Sequence, residues 1–394
     1  MSTDELFALR GRTAIVGIAD DASPTGELDD FGVALEMRMI AEALADAGIA
    51  PNEVDGLALA GGAMSPLLTA ERLGIRPRWV DSTHVGGSSF GLHVQHAALA
   101  LAAGICNVVV IVYAGTPKGD RKRSGARRGD VSPYGPEHLA FEAPTGMLQP
   151  LTAYALAAQR HMSQYGTTSA DLARVAVTTR DYATHNPKAR QRQPLTVDDV
   201  LATPTICGPL RALDCCLITD GAGALVMTRA DRARELRSDA AYVLGAASSN
   251  SHLLVSGMAD FAVSPGAVSG PEAFAQAGIR PADVDVLETY DSFTITVLLA
   301  LEDLGFCPKG TAGAFVTDGA MAPGGAIPTN TSGGGLSYTH PGMFGMFVLV
   351  EAARQLRGQS RGVAIPGVEV AVAHGCGGLL SSTATTVLGS EATL

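Results

Sequence analysis

Residues 47–57 read AGIAPNEVDGL and residues 277–287 read AGIRPADVDVL, an offset of 230 positions (277 − 47) within a chain of 394 residues. Both copies follow an alanine-rich helical pattern and precede a strand-like run, and self-similarity of this kind marks a duplicated unit. A looser echo extends it. In the first copy the glycine cluster HVGGSSFG (84–91) precedes a helix ending at Gly104 and the strand NVVVIVYAG (107–115). In the second, TSGGGLSYTHPGMFG (331–345) precedes a helix ending near Gly358 and the strand VEVAVAHGCGG (368–378). Each half therefore reads strand, helix, strand, glycine loop, helix, strand. That alternation implies an α/β fold with mostly parallel central strands and helices outside. The expected division is 1–114 with 195–240 as the N-terminal half, 115–194 as an inserted region capping one face, and 241–394 as the C-terminal half. Within the insert, helices are expected near Gln149–Tyr165 and Ser169–Tyr182.

A formal net charge of −11 argues against a nucleic-acid binder, whose affinity comes mainly from clustered Lys and Arg. Residues 1–20 hold no basic start followed by an unbroken apolar run, and the longest apolar region, Ala97–Tyr113, is broken by Gly104 and Asn107 into a helix and a strand. The expectation is a cytoplasmic protein without a membrane span. Six cysteines, at 106, 207, 215, 216, 307 and 376, show no metal-binding spacing, so neither zinc nor a disulfide framework is expected.

One stretch departs from the acidic background. TPKGDRKRSGARRGD (116–130) carries Lys118, Arg121, Lys122, Arg123, Arg127 and Arg128, and reads either as a solvated loop or as a local anion site. The glycine cluster at 330–345 is also open to two readings. It is either a tight turn into a helix or a backbone lying directly against a ligand, with Tyr338 and His340 among the glycines.

Six ordered features carry a resemblance over nearly the whole chain: the duplicated α/β halves, the inserted loop region, LDCCLITDGAGALVMT (213–228), ETYDSFT (288–294), NTSGGGLSYTHPG (330–342) and AHGCGG (373–378). Together they resemble the thiolase superfamily, and most closely its lipid-transfer-protein-like group with the steroid side-chain-cleaving aldolases. The resemblance implies a duplicated α-β-α layered fold of two similar halves with mixed five-stranded sheets plus an inserted loop domain.

The same resemblance assigns roles. Thiolases place a nucleophilic cysteine at the start of the helix after the first glycine loop, where Gly87 or Ser88 stands here. A covalent acyl-cysteine is thus excluded there, and Ser88 reads as a helix cap in preference to a nucleophile. Tyr290 of YDSF takes the place of the family's oxyanion-hole Asn. His340 of THP aligns with the catalytic His, and Pro341 is expected at the first helical position. The terminal HGCGG puts either His374 or Cys376 at the family's second cysteine, with Gly375 or Gly377 supplying an oxyanion N–H. Tyr338 departs from the aliphatic residue of ordinary thiolases.

Two tyrosines gained and a nucleophile lost imply a retro-aldolase that cleaves a sterol-derived β-hydroxyacyl-CoA to a ketone and a short acyl-CoA. Tyr290 is then the base, Tyr338 the acid (roles that could be exchanged), and His340 the orienting or relaying group. The alternatives are an acetyltransferase or 3-ketoacyl-CoA thiolase working through Cys376, and a silent acyl-CoA-binding subunit. The resemblance further implies a homodimer, a small OB-fold acyl-CoA-associated partner, and no cofactor besides the coenzyme A of the substrate. Arg121, Lys122, Arg127 and Arg128 are the candidates for its phosphates.

Overall fold

The computed structural model describes residues 9–62, 64–124, 137–147 and 149–394. Its centre is one mixed nine-stranded sheet. Five strands come from the first half: β1 (Thr13–Ala22), β2 (Gly56–Ala58), β3 (Trp79–Asp81), β4 (Val108–Gly115) and β7 (Gly221–Arg229). They lie in the order β3-β2-β4-β7-β1, with parallel pairs at β3/β2 and β2/β4 and antiparallel pairs at β4/β7 and β7/β1. The second half supplies β8 (Ala241–Asn250), β9 (Val286–Thr289), β10 (Val370–Gly377) and β11 (Ser382–Gly389) in the order β8-β11-β10-β9. The same pairing senses recur, parallel at β9/β10 and antiparallel at β10/β11 and β11/β8. Where the resemblance implies a fifth strand here, the chain makes only one parallel bridge, Leu287 to Thr329. The halves join through β1 and β8, at Ala14–Tyr242 and Ile15–Ala241.

The repeat in the sequence is a repeat of hydrogen bonds. Helix α1 (Gly32–Ala47) ends at left-handed Gly48, and α9 (Gly266–Ala277) ends at left-handed Gly278. Only a residue tolerating positive φ closes a helix this way without strain. A single 3-10 turn follows in each, Pro51–Glu53 and Pro281–Asp283. The Asp55 carboxylate then accepts from the N–H groups of Asn107 and Val108, and that of Asp285 from Glu369 and Val370. Gly17 and Gly245 are paired likewise. A Cβ on Gly17 would overlap the Ala43 carbonyl of α1, and one on Gly245 the Ala273 carbonyl of α9, so each glycine lets a helix lie directly on its strand.

Helix α1 packs on β1, β4 and β7, and α9 on β8 and β11. Helices α3 (Ser89–Ala102) and α12 (Gly345–Leu356) pack on each other and on strands of both halves. Both are buried nearly all round, which is why their sequences show apolar residues on every face. Helix α12 begins at Gly345, so the expected helical start at Pro341 is not found: Pro341 lies in an irregular loop, and no helical turn follows His340 directly.

Two short helices, α2 (Ser65–Leu73) after β2 and α4 (Pro117–Ser124) after β4, flank the first-half strands. Between β4 and β7 run α5 (Leu151–Tyr165), α6 (Ser169–His185), α7 (Val197–Ala202) and a β5–β6 hairpin (Thr205–Cys207, Leu210–Arg211). Helix α6 opens with a reciprocal capping box between Thr168 and Asp171. It packs on the turn at 334–338, on α10 (Thr294–Asp303) and on α11 (Ala312–Thr317), and α5 packs on α10. Helix α8 (Ala230–Leu236) lies against β1 and β7. Helices α5 and α6 of the insert are thus packed on second-half elements.

Candidate active site

The glycine loops of both halves meet around a cavity of about 920 Å³. Gly86, Gly87, Gly377 and Gly378 line it, and Tyr290 and His340 are among the polar residues that share the lining. Pro150, Leu151, Ile206, Ile218 and Leu253 supply apolar lining.

Tyr290 is the first residue beyond β9, and its N–H donates to the carbonyl of His374 on the neighbouring strand at 2.9 Å. His340 follows the π-helical turn Gly334–Tyr338 and is anchored by its own N–H, which donates to Thr219 Oγ1 at 2.8 Å. These anchors bring Tyr290 Oη within 2.9 Å of His340 Nε2. The Gly342 carbonyl lies 3.5 Å from the same hydroxyl. Phe344 stacks on the imidazole and meets the phenol edge-on, which leaves each ring little room to turn.

Burial sets the protonation. It pushes the His340 imidazole down to about 4 and the Tyr290 phenol well above 10. At neutral pH the pair is an uncharged imidazole hydrogen-bonded to an uncharged phenol, so the resting site carries no charge on either ring.

The glycines are required by close approach. A Cβ on Gly87 would overlap the Tyr290 ring, one on Gly377 the Val85 carbonyl, and one on Gly345 the Gly87 carbonyl. A Cβ on Gly86 would come within 2.6 Å of the Gly378 nitrogen. The cluster at 333–335 folds around Asp291, whose buried carboxylate accepts from the N–H groups of Gly335 (2.6 Å) and Leu336 (3.1 Å). The cluster is thus a tight turn built on Asp291; Gly333–Gly335 are not among the residues lining the cavity, to which the turn delivers His340.

The remaining sequence candidates separate. Gly87, Cys376 and Gly377 line the cavity with Tyr290 and His340, whereas Ser88, Tyr338, His374 and Gly375 do not. Ser88 stands at the cap position of α3 but makes no capping hydrogen bond; its Oγ lies 3.0 Å from the Val85 carbonyl and 2.8 Å from Ser382 Oγ. The loop is held instead by Ser89, which donates to Gly86 O and accepts from Val85 N. His374 pairs across the β10–β11 ladder with Thr385 Oγ1 at 2.9 Å, and burial pushes it down to about 4. Gly375 packs against the Ser88 backbone.

Tyr338 has a different setting from the one its motif implies. Its hydroxyl donates to Asp20 Oδ2 at 2.6 Å, inside a buried cluster with Arg354 and Arg361. Burial raises Asp20, yet Arg354, Arg361 and Tyr338 more than offset this and hold its carboxyl at about 2. Cys376 is 4% exposed, and burial pushes its thiol up to about 12, so little thiolate forms at neutral pH. Of the basic stretch, Arg121 is exposed, Lys122 pairs with Glu27 at 2.6 Å, and Arg127 and Arg128 lie outside the described residues. Among the described residues no group of three or more His, Cys, Asp or Glu is placed to hold a metal ion, and no helix is long and apolar enough to cross a membrane.

Tyr113 and Tyr154 also line the cavity, and neither carried a sequence signal, because one lies within an apolar strand and the other in an alanine-rich helix. Thr219 and Asp291 sit inside the motifs LITDGAG and YDSF, where only the contacts just described reveal their parts.

Residues 247–390 match the family model for the thiolase C-terminal domain-like fold. The chain is 39% identical over 375 residues to the 17-hydroxy-3-oxo-4-pregnene-20-carboxyl-CoA lyase of Mycobacterium tuberculosis, covering 89% of this chain and 93% of that protein. It is 35% identical over 368 residues to the steroid side-chain-cleaving aldolase of Thermomonospora curvata, covering 90% and 93%. The solved structure of an Ltp2-ChsH2(DUF35) aldolase superposes with a TM-score of 0.88 at 34% identity, covering 98% of this chain and 100% of that one.

Proposed function

The chain belongs to the thiolase superfamily, in its steroid side-chain-cleaving aldolase branch, and on that footing we propose that it is a carbon–carbon lyase cleaving a sterol-derived β-hydroxyacyl-CoA to a ketone and a shortened acyl-CoA. The observation that carries this reading is the Tyr290–His340 pair facing a cavity that Gly87 lines and Ser88 does not, so neither candidate for the family's nucleophile position presents a side chain to it.

In this reading the substrate hydroxyl rests on Tyr290 Oη. As its proton moves to the phenol oxygen, the phenol's own proton moves to His340 Nε2, and the alkoxide collapses to the ketone. The electrons of the breaking C–C bond pass to the α-carbon and are delocalised onto the thioester oxygen as an enolate. Backbone N–H groups of the lining glycines stabilise that oxyanion. An imidazole held at about 4 is a weak base, so it keeps the proton only while the enolate carries the charge. The proton then returns through Tyr290 to the α-carbon. No group is transferred to the protein, and the substrate's hydroxyl proton ends on the acyl product.

The coenzyme A of the substrate is the only cofactor in this scheme, and its phosphates are assigned to the basic segment holding Arg121, Lys122, Arg127 and Arg128. An otherwise acidic chain needs a local cation source to attract them. The double variant Arg127→Glu/Arg128→Glu should raise the apparent KM at low ionic strength; an unchanged KM returns the segment to solvent. We assign the enzyme to the cytoplasm as a homodimer with a small OB-fold partner; for the partner alone, the support is the two-protein name of the aldolase that superposes on the chain.

The deciding experiment is turnover with free CoA removed, combined with intact-protein mass spectrometry. A retro-aldolase turns over repeatedly and carries no acyl adduct. A strict requirement for CoA, or an acyl mass shift on Cys376 or Ser88, would overturn the proposal.

A further inference from the structure

We infer that Thr219 and Tyr113, both from the first half of the chain, are positioning residues that set the distance between Tyr290 and His340; the inference rests on the proton-relay role given to that pair. His340 lies in an irregular loop between a π turn and α12, so no helix or strand fixes its backbone. Five contacts from the first half do so instead. Thr219 Oγ1 accepts from the His340 N–H at 2.8 Å, and the Thr219 N–H donates to the His340 carbonyl at 3.3 Å. Its hydroxyl also lies 2.8 Å from Thr339 Oγ1. One threonine thus holds both backbone polar groups of the reacting residue and the side chain before it.

Tyr113 holds the other side of the loop. Its hydroxyl donates to the Pro341 carbonyl and accepts from the Met343 N–H at 3.1 Å. The peptide units on either side of Gly342 are thereby fixed, and the Gly342 carbonyl faces Tyr290 Oη. Burial pushes the Tyr113 phenol further above its ordinary value, so it stays protonated and keeps its donor role throughout the working pH range. Thr219 and Tyr113 are 2% and 8% exposed, and a buried N–H left without its acceptor carries the full cost of desolvation. The Tyr290 side needs no such help, because its N–H is already fixed to His374 on the adjoining strand.

The test compares Thr219→Val with Thr219→Ser. Valine keeps the volume and loses the acceptor; serine keeps the acceptor and loses a methyl group. The expected result is a ~10-fold to 10²-fold loss of kcat with KM nearly unchanged for Val, the scale that small misplacements of reacting groups produce, and recovery of most of it by Ser. Tyr113→Phe should act in the same direction and remains informative if Thr219→Val fails to fold. Crystal structures of the substrate-free variants supply a readout independent of catalysis, with Tyr290 Oη and His340 Nε2 drawn out of hydrogen-bond reach. Wild-type kcat in Thr219→Val and Tyr113→Phe, or equal losses in Val and Ser, would overturn the inference. If the wild-type protein cleaves no β-hydroxyacyl-CoA, the functional reading has failed, and the variant structures alone decide whether the loop is held as stated.

Discussion

Tyr290 and His340 are fifty residues apart in sequence and 2.9 Å apart in space, joined by a hydrogen bond between two groups that burial keeps uncharged. Removing the phenol oxygen breaks the path from substrate to imidazole without opening a cavity. Tyr290→Phe should therefore lower kcat by ~10²-fold or more, the contribution of a positioned proton-transfer group, while the melting temperature changes little. Near wild-type turnover on a confirmed substrate would remove Tyr290 from the chemistry.

Tyr338→Phe should behave in the opposite way. Its hydroxyl is one of three partners of the Asp20 carboxylate, with Arg354 and Arg361, and it does not reach the cavity. The expected cost is ~1–2 kcal/mol of stability, the value of a lost charge-assisted hydrogen bond whose carboxylate keeps its other partners. Turnover measured well below the melting temperature should stay within a few-fold. A loss matching that of Tyr290→Phe at unchanged stability would restore Tyr338 to the role its motif implies.

Acid should destabilise the fold earlier than carboxylate protonation alone would. Burial holds His93, His340 and His374 at about 4, below the ordinary 6.5; for His93 it outweighs the nearby Asp81. Between those two values the unfolded chain binds protons that the folded one refuses. Stability is thus fully present above about 6.5 and is lost as pH falls toward 4, on the order of 1–3 kcal/mol for each histidine. Asp20, held at about 2, adds a loss in the same direction at lower pH. Imidazole NMR titrations of the folded protein measure this, because burial also raises Asp291 to about 7 and Glu288 well above its ordinary value, which opposes the loss in a bulk unfolding profile; ring titrations near 6.5 would show that these imidazoles are not kept neutral.

The duplication was legible because its code is local. A left-handed glycine, a proline opening a 3-10 turn and an aspartate fixing the next strand all fall within one eleven-residue stretch, and both copies keep them. Strands β7 and β11 were harder to read, since GAGALVMTR and STATTVLG are rich in small and hydroxylated residues and acquire strand geometry from the neighbours that cover both faces. At the site, Gly87, Tyr290, His340, Cys376 and Gly377 were placed together by their motifs. Tyr338 was not separable from them, because neighbours two residues apart can face opposite ways from a π turn that no sequence pattern announces. Asp20, which takes its hydroxyl, lies 318 positions away.

The overlap that any side chain at Gly87 would make with the Tyr290 ring sets a choice between them. A side chain at position 87 and the Tyr290 ring in its present pose exclude one another, so a variant that places a cysteine there must first move or lose the phenol. Position 87 therefore works as an either-or setting, open to a side chain or to the ring but not to both.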